Sequence, residues 1–324
     1  MSEPHPISSH SACALGAPVA TDFRCIGTKR MWAGIASVAA LCLVFVPVFL
    51  EWYRLAMSDD LHSHLILIPL VSLYLLVTSR SQLAWHSKPS PAGGFGVMAL
   101  SAAVFGWALV VNPTWSVVDL TALKIFTFIG LLWGLGLVVL GWQWMRSAAF
   151  PMAFLLFMIP IPDLALVSLE RFLMAMSASL SELLFSAGGI PVFRSGQVIE
   201  LPGMVLEVAQ ECSGIRSSWV LLITSVLAAH LFLPTVPRKI ALVAAVLPLA
   251  ILRNSVRIFV IGWLCVHYGP DMIDGWIHRK GGPVFFAASL VPLFLMAWWL
   301  RKRKIKEHSQ ESTIPETPPG GEER

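Results

Sequence analysis

The sequence predicts an all-α integral membrane protein with about eight transmembrane helices, and three observations carry that expectation. Of its 324 residues, 56% are hydrophobic and only 13% are charged. Mean hydropathy is +0.73, well above what a soluble domain of this size needs. The apolar residues also fall in runs close to the roughly 20 residues that a bilayer core demands of a helix.

Those runs lie at 32–50, 61–78, 93–111, 120–141, 147–161, 213–233, 240–264 and 283–300. The first is too long and uniform for the core of a signal peptide, so it is expected to stay in the mature protein. Residues 1–31 and 301–324 flank a polytopic domain at 32–300. The N-terminal stretch reads as disordered, and so does the Pro-, Gly- and Glu-rich end of the tail, which follows the basic run RKRKIK.

Basic residues are retained on the cytoplasmic side. With the N-terminus inside, that side collects Arg24, Lys29, Arg30, Arg80, Lys88, Arg146, Arg238, Lys239 and the RKRKIK tail. The outer side holds Arg54, Arg171, Arg194, Arg279 and Lys280 together with most of the acids. Both termini are therefore expected in the cytoplasm.

Between the fifth and sixth runs lies one long extramembrane segment, 162–212. Leu166, Leu169, Leu173, Met176, Leu180 and Leu183 form a stripe at helical spacing, interrupted by Glu170, Arg171 and Glu182. This pattern predicts an amphipathic helix in the outer interface, with a spanning helix as the rival. Beyond Gly188 and Gly189 the pattern turns strand-like, with breaks at Arg194–Ser195–Gly196 and Pro202–Gly203, and predicts a small β-hairpin before the sixth span.

Lys124, Arg216, Arg253 and Arg257 fall inside the expected spans, where no Asp or Glu does. Buried cations of this kind mark a site or snorkel to an interface. The missing carboxylates speak against a proton- or cation-coupled transporter. Cys212 opens the sixth span in ECSGIRSSWVLL, with Arg216 one turn below it. Arg257 lies seven residues before the outer end of the seventh span, with Asn254 and Arg253 on its face, and His278 precedes the eighth. Topology alone thus brings Cys, Arg and His to one side of the membrane.

A thiol at a helix N-terminus beside an arginine is favoured as thiolate. Histidine moves protons near neutral pH, and arginine stabilises an oxyanion without serving as a base. The set suits acyl transfer through a thioester. Bland readings stand beside it: Cys212 as a small buried apolar residue, His278 as a solvated loop residue, and Arg253 as a partner of backbone carbonyls. Cys265, also near the outer face, is a rival nucleophile. His62 and His64 have metal-like spacing without a ligand set such as His-Glu-x-x-His, so no metal or cofactor is expected.

VAQECSGIRSS at 208–218, NSVRIFVIG at 254–262 and HRKGGPVFF at 278–286 resemble the three signature blocks of the exosortase and archaeosortase family. SDDLHSHLILIPLVSLYLL at 58–76 is similar to the family's early Asp, Ser-His and Ile-Pro element, with Leu65 where a glycine is common. The resemblance implies a membrane cysteine transpeptidase whose catalytic part spans about 190–286. Its substrates would be exported proteins carrying a C-terminal sorting signal: a short motif, a transmembrane helix and a basic end. By matching position, Cys212 would be the nucleophile, Arg257 the oxyanion stabiliser and His278 the proton donor and acceptor. Arg216, Asn254, Gly214, Gly282 and His64 would be supporting or substrate-binding residues.

The implied location is the outer face of a bacterial cytoplasmic membrane. The acceptor nucleophile is not given by the sequence, and no nucleic-acid partner is expected. The residues alone also allow an anion or lipid-linked-saccharide transporter, or a non-catalytic membrane component of a polysaccharide export complex.

Overall fold

A computed structural model describes residues 28–58, 60–111, 114–207, 214–269 and 282–311. Seven of its helices are long and apolar enough to cross a membrane, or eight if a bent pair counts as one span. The chain divides into two compact units. Helices are the expected currency here, because a backbone in lipid must satisfy its own hydrogen bonds.

The first unit comprises residues up to Glu51, Pro69–Thr114 and Leu123–Met158. It opens with α1 (Thr28–Val44), which bends by 62° into α2 (Val46–Ser58). Next come α3 (Leu67–Thr78), α4 (Pro91–Val111) and α5 (Val117–Val139). Close approach of α4 and α5 rests on small residues. A Cβ on Gly94 would stand 2.6 Å from the carbonyl oxygen of Gly134, and one on Gly134 would stand 2.8 Å from that of Gly94. Without a hydrophobic force between helices in lipid, such backbone proximity supplies the dispersion contacts that hold them. Phe128 of α5 adds ring contacts to Phe45 and Phe49, at centroid distances of 5.3 and 4.9 Å.

Two expectations change in this unit. The run at 147–161 is not one helix but α6 (Trp142–Ser147), α7 (Ala149–Phe154) and a 3-10 turn at Leu155–Met158. Pro151 cannot donate to the carbonyl one turn back, and Pro160 and Pro162 cannot continue a helix. In addition, Glu51 lies within α2 and pairs with Lys124 of α5 at 2.7 Å, so the apolar helices do contain a carboxylate and that lysine has its counter-ion.

The second unit comprises Trp52–Ile68, Trp115–Ala122 and the chain from Ile159 onward. Its α8 (Asp163–Ala187) follows Pro162, and the Asp163 amide donates to the Asp119 carboxylate at 2.8 Å. The helix expected in this segment is α8, and its length and composition are those of a span, the rival reading. The stripe chosen from sequence is only partly its buried face. Leu183 is 62% and Met176 43% exposed, whereas Leu173, Met174, Ser177, Ala178, Ser181 and Phe185 are buried. Small residues, Ser177, Ala178 and Ser181, share the inward face with Leu173, Met174 and Phe185, while Met176 and Leu183 face outward, as lipid permits.

That buried face meets α11 (Val246–Tyr268). Ser255 Oγ donates to the Ser177 carbonyl at 3.1 Å, Ser181 Oγ to the Ser255 carbonyl at 3.3 Å, and the Phe185 ring packs at a tilt against Phe259. Gly262 leaves room for Phe185 and Leu201. The expected hairpin is a three-stranded antiparallel meander: β1 (Phe193–Ser195), β2 (Val198–Leu201) and β3 (Met204–Glu207). Gly196 and Gly203, both at positive φ, make its turns. Ile199 and Leu201 bury into the cluster with Phe185 and Ile258, and Arg194 ties β1 to Glu182 of α8 at 2.6 Å.

After the sheet, α9 (Ile215–Phe232) runs into α10 (Val236–Ala244), which continues as α11, and α12 (Gly282–Glu311) closes the fold. Leu221, Ala228, Leu242, Val246, Leu293 and Ala297 share one core among α9 to α12. Lys302 lies 3.8 Å above the Trp298 ring, a cation–π pair at the end of the apolar part of α12.

Gly94→Ala is expected to lower the unfolding temperature of the detergent-purified protein by several degrees. Gly106→Ala, on the same helix with open space around its Cβ position, is expected to leave it unchanged or raise it, since alanine gains about 1 kcal/mol in helix propensity. Equal behaviour of the two variants would refute the close α4–α5 contact.

Candidate active site

Gly214, Arg253 and Asn254 meet at the start of α9. Gly214 is its N-cap, held at φ 66° and ψ 13°, a left-handed conformation that costs an L-side chain about 1–2 kcal/mol. Its carbonyl accepts from the Ser218 amide at 2.9 Å, from the Ser218 and Ser217 hydroxyls at 2.7 and 3.0 Å, and from Arg253 Nη2 at 2.9 Å. The glycine is required twice, because a Cβ there would also stand 3.0 Å from Arg253 Nη2 and 3.2 Å from Asn254 Oδ1.

Arg253 is 8% exposed and Asn254 only 2%. Besides Gly214, Arg253 Nη2 reaches Ser218 Oγ at 3.0 Å. The bland expectation for Arg253, a partner of backbone carbonyls, is therefore met, and the carbonyl is that of the glycine two residues after Cys212 in the chain. Among the described residues, Arg253 Nη1 and Asn254 Nδ2 are buried without an acceptor, and Arg253 meets no carboxylate. Arg257 is half-buried one turn further along α11, close enough for its charge to act on Arg253. Arg253 thus stands at the N-terminus of α9, where the helix dipole already favours negative charge.

Arg216 is exposed on α9, so the guanidinium that contacts Gly214 is Arg253. His64 lies in a 3-10 turn, Asp60–Ile66. Its Nε2 accepts from Trp219 Nε1 at 3.0 Å, which leaves Nδ1 to donate to the Leu61 carbonyl at 2.9 Å. Tryptophan can only donate, so this arrangement requires the neutral ring. Both ring nitrogens are engaged, and His64 braces the second turn of α9 instead of facing a metal. Gly282 begins α12 in open surroundings. Cys265 is buried within α11. Cys212 and His278 lie outside the described residues.

Sequence reasoning undervalued Arg253 and missed Ser218 and Trp219. The first is signalled by its adjacency to Asn254 and the second by its four-residue spacing from Gly214. Trp219 carries no such signal, since its partner is 155 residues away.

Gly214→Ala is expected to destabilise the protein by about 1–2 kcal/mol from backbone strain alone and to displace Arg253. Thermal unfolding with and without Arg253→Ala reads both effects: the glycine substitution should cost less once the arginine is gone. Additive costs would show that the two residues do not interact.

A family model described as transmembrane exosortase matches residues 52–295, which takes in the 3-10 turn of His64, the sheet, α9 and α11. Searches of curated proteins and of solved structures returned no match. The match covers well over half of the chain, and with it the chain belongs to the transmembrane exosortase family.

Proposed function

We propose that this exosortase is a cysteine transpeptidase that cleaves C-terminal sorting signals from exported proteins at the outer face of a bacterial cytoplasmic membrane. The observation that carries the reading is the buried guanidinium of Arg253 donating to the carbonyl of Gly214 at the start of α9, two residues after Cys212 in sequence. Such a place favours a thiolate and the negative charge that develops as it reacts.

In this reading Cys212 passes its proton to His278, and the thiolate attacks the carbonyl carbon of the scissile bond. The C–S bond forms as the carbonyl π pair moves onto oxygen, and Arg257 stabilises that oxyanion. Collapse restores the carbonyl and breaks the C–N bond, and the amine leaves with the proton from His278. An acceptor amine, hydroxyl or water then gives a proton to His278 and attacks the thioester, expelling the thiolate. Arg216 supports the thiolate or the signal's acidic residue.

Depth supports this placement. Residues 236–268 run as one helical span of 33 residues, about 50 Å at 1.5 Å per residue, longer than a hydrocarbon core of about 30 Å. Arg238 and Lys239 mark one end. Arg257 follows about 28 Å further on. With the basic end inside, both termini are cytoplasmic and Arg257 falls at the outer boundary. A substrate's single transmembrane helix, docked among the spans, would hold its motif at that level.

The test is the intact mass of an exported protein bearing a candidate sorting signal, made in cells with native or variant enzyme. Native enzyme and Cys265→Ala should remove the C-terminal helix, and the mass of the product names the acceptor. Cys212→Ala should leave the signal in place, and Arg257→Ala should slow removal about 10²- to 10³-fold. Unchanged processing by Cys212→Ala would sink the transpeptidase reading. Normal processing by Arg257→Ala together with its loss in Arg216→Ala would reassign the oxyanion to Arg216.

A further inference from the structure

The end of α9 away from Gly214 leads into a gathering of cations. On α10, Arg238 and Lys239 stand four and three residues before Leu242, and on α12 Arg301 and Lys302 follow Leu300. Leu242 and Leu300 belong to one buried cluster, so the two basic pairs border the same end of one core. Arg301 and Lys302 are exposed, and Arg238 and Lys239 are partly so. The chain has no Asp or Glu at 212–270 or at 282–306, so α9, α10, α11 and the apolar part of α12 bring no carboxylate of their own to these charges. The depth of the gathering is that of a lipid headgroup. The apolar part of α12, Val284–Lys302, has 19 residues, about 28 Å at 1.5 Å per residue, which matches a hydrocarbon core of about 30 Å. The helix nevertheless runs on to Glu311, so its basic turn leaves the core as helix. Trp298 and Trp299, 55% and 47% exposed, precede that turn at the level of an aromatic belt. On α10, Val236 and Ile240 are exposed on either side of Arg238 and Lys239, the mixture of apolar and basic surface found on helices that lie in an interface.

We propose that α10 and α12 form a binding surface for an anionic phospholipid of the adjoining leaflet, with Arg238, Lys239, Arg301 and Lys302 around its phosphodiester. Basic surfaces between helices at this membrane face are the kind that hold acidic headgroups. The apolar border decides between phosphate sources. Val236, Ile240 and Trp299 offer exposed apolar area beside the cations, which fits a ligand that has acyl chains as well as a phosphate. A free phosphate or a nucleic acid has no use for it. Because α11 continues from α10, a lipid held here fixes the depth of α11 in the bilayer. The proposal goes beyond the thioester reading and does not depend on it.

Native mass spectrometry of the full-length protein in neutral detergent, titrated with dioleoyl phosphatidylglycerol or dioleoyl phosphatidylcholine, tests the surface. Phosphatidylglycerol should bind about tenfold more tightly than phosphatidylcholine. Each cation beside an anionic surface strengthens attraction about fivefold. Removing two, in Arg301→Gln with Lys302→Gln, should therefore weaken phosphatidylglycerol binding about 10- to 25-fold and leave phosphatidylcholine unchanged. Arg238→Gln with Lys239→Gln should weaken it to a similar extent. The same charge change in Arg80→Gln with Lys88→Gln, exposed cations of the first unit, should have no effect, which separates a site from net charge. Equal affinity for the two lipids, native binding when either basic pair of the second unit is removed, or an equal loss in the Arg80 and Lys88 variant would overturn the proposal. So would displacement of the lipid by an equal concentration of glycerol phosphate or of a short RNA, since either would make the ligand something other than a lipid. Should the partly buried Arg238 and Lys239 variant not fold, the exposed Arg301 and Lys302 pair decides alone.

Discussion

A single hydrogen bond, from the guanidinium of Arg253 to the carbonyl of Gly214, fixes the start of α9 against α11. It joins the middle of one long helix to the first residue of another and brings a positive charge to a helix N-terminus. A buried arginine is expensive in a membrane protein unless its donors find acceptors. Here part of that cost is offset by the Gly214 carbonyl and the Ser218 hydroxyl, which both accept from Nη2. The left-handed glycine favours the contact, because a Cβ at that position would be strained and would crowd Arg253 and Asn254.

The rest of the second unit holds α11 in place to make that bond. Serines, where a soluble protein would use leucines, knit α8 to α11, and Phe185, Ile199 and Leu201 anchor the sheet on the same helix. His64, reaching from a distant part of the chain to Trp219, braces α9 one turn past the site. The family's early motif thus acts here through packing against α9, which accounts for its place in the fold without assigning it a step in the reaction.

Much of this was legible in the sequence, and the failures have a physical pattern. Composition and run length gave the membrane class and most helices, because lipid imposes length and hydropathy so strictly. The Cys-Ser-Gly-Ile-Arg and Asn-x-x-Arg blocks pointed to α9 and α11. The inward face of α8 was misread because amphipathic reasoning assumes that water is outside, whereas this helix hides Ser177 and Ser181 and exposes Leu183. Glu51 was set outside a span because the bend between α1 and α2 leaves no mark in hydropathy. Arg253 was expected to pair with backbone carbonyls, but which carbonyl it meets was not legible, because that partner has no side-chain identity to read.

The central claim is that the start of α9 is an anion-stabilising place built around Cys212. The rate at which Cys212 is alkylated by iodoacetamide as a function of pH tests it most directly, in enzyme whose other cysteines are replaced. The account predicts half-maximal reactivity well below the ordinary thiol value of about 8.5, moving upward when Arg253 becomes glutamine. A native profile centred at or above the ordinary value and indifferent to Arg253 would contradict it.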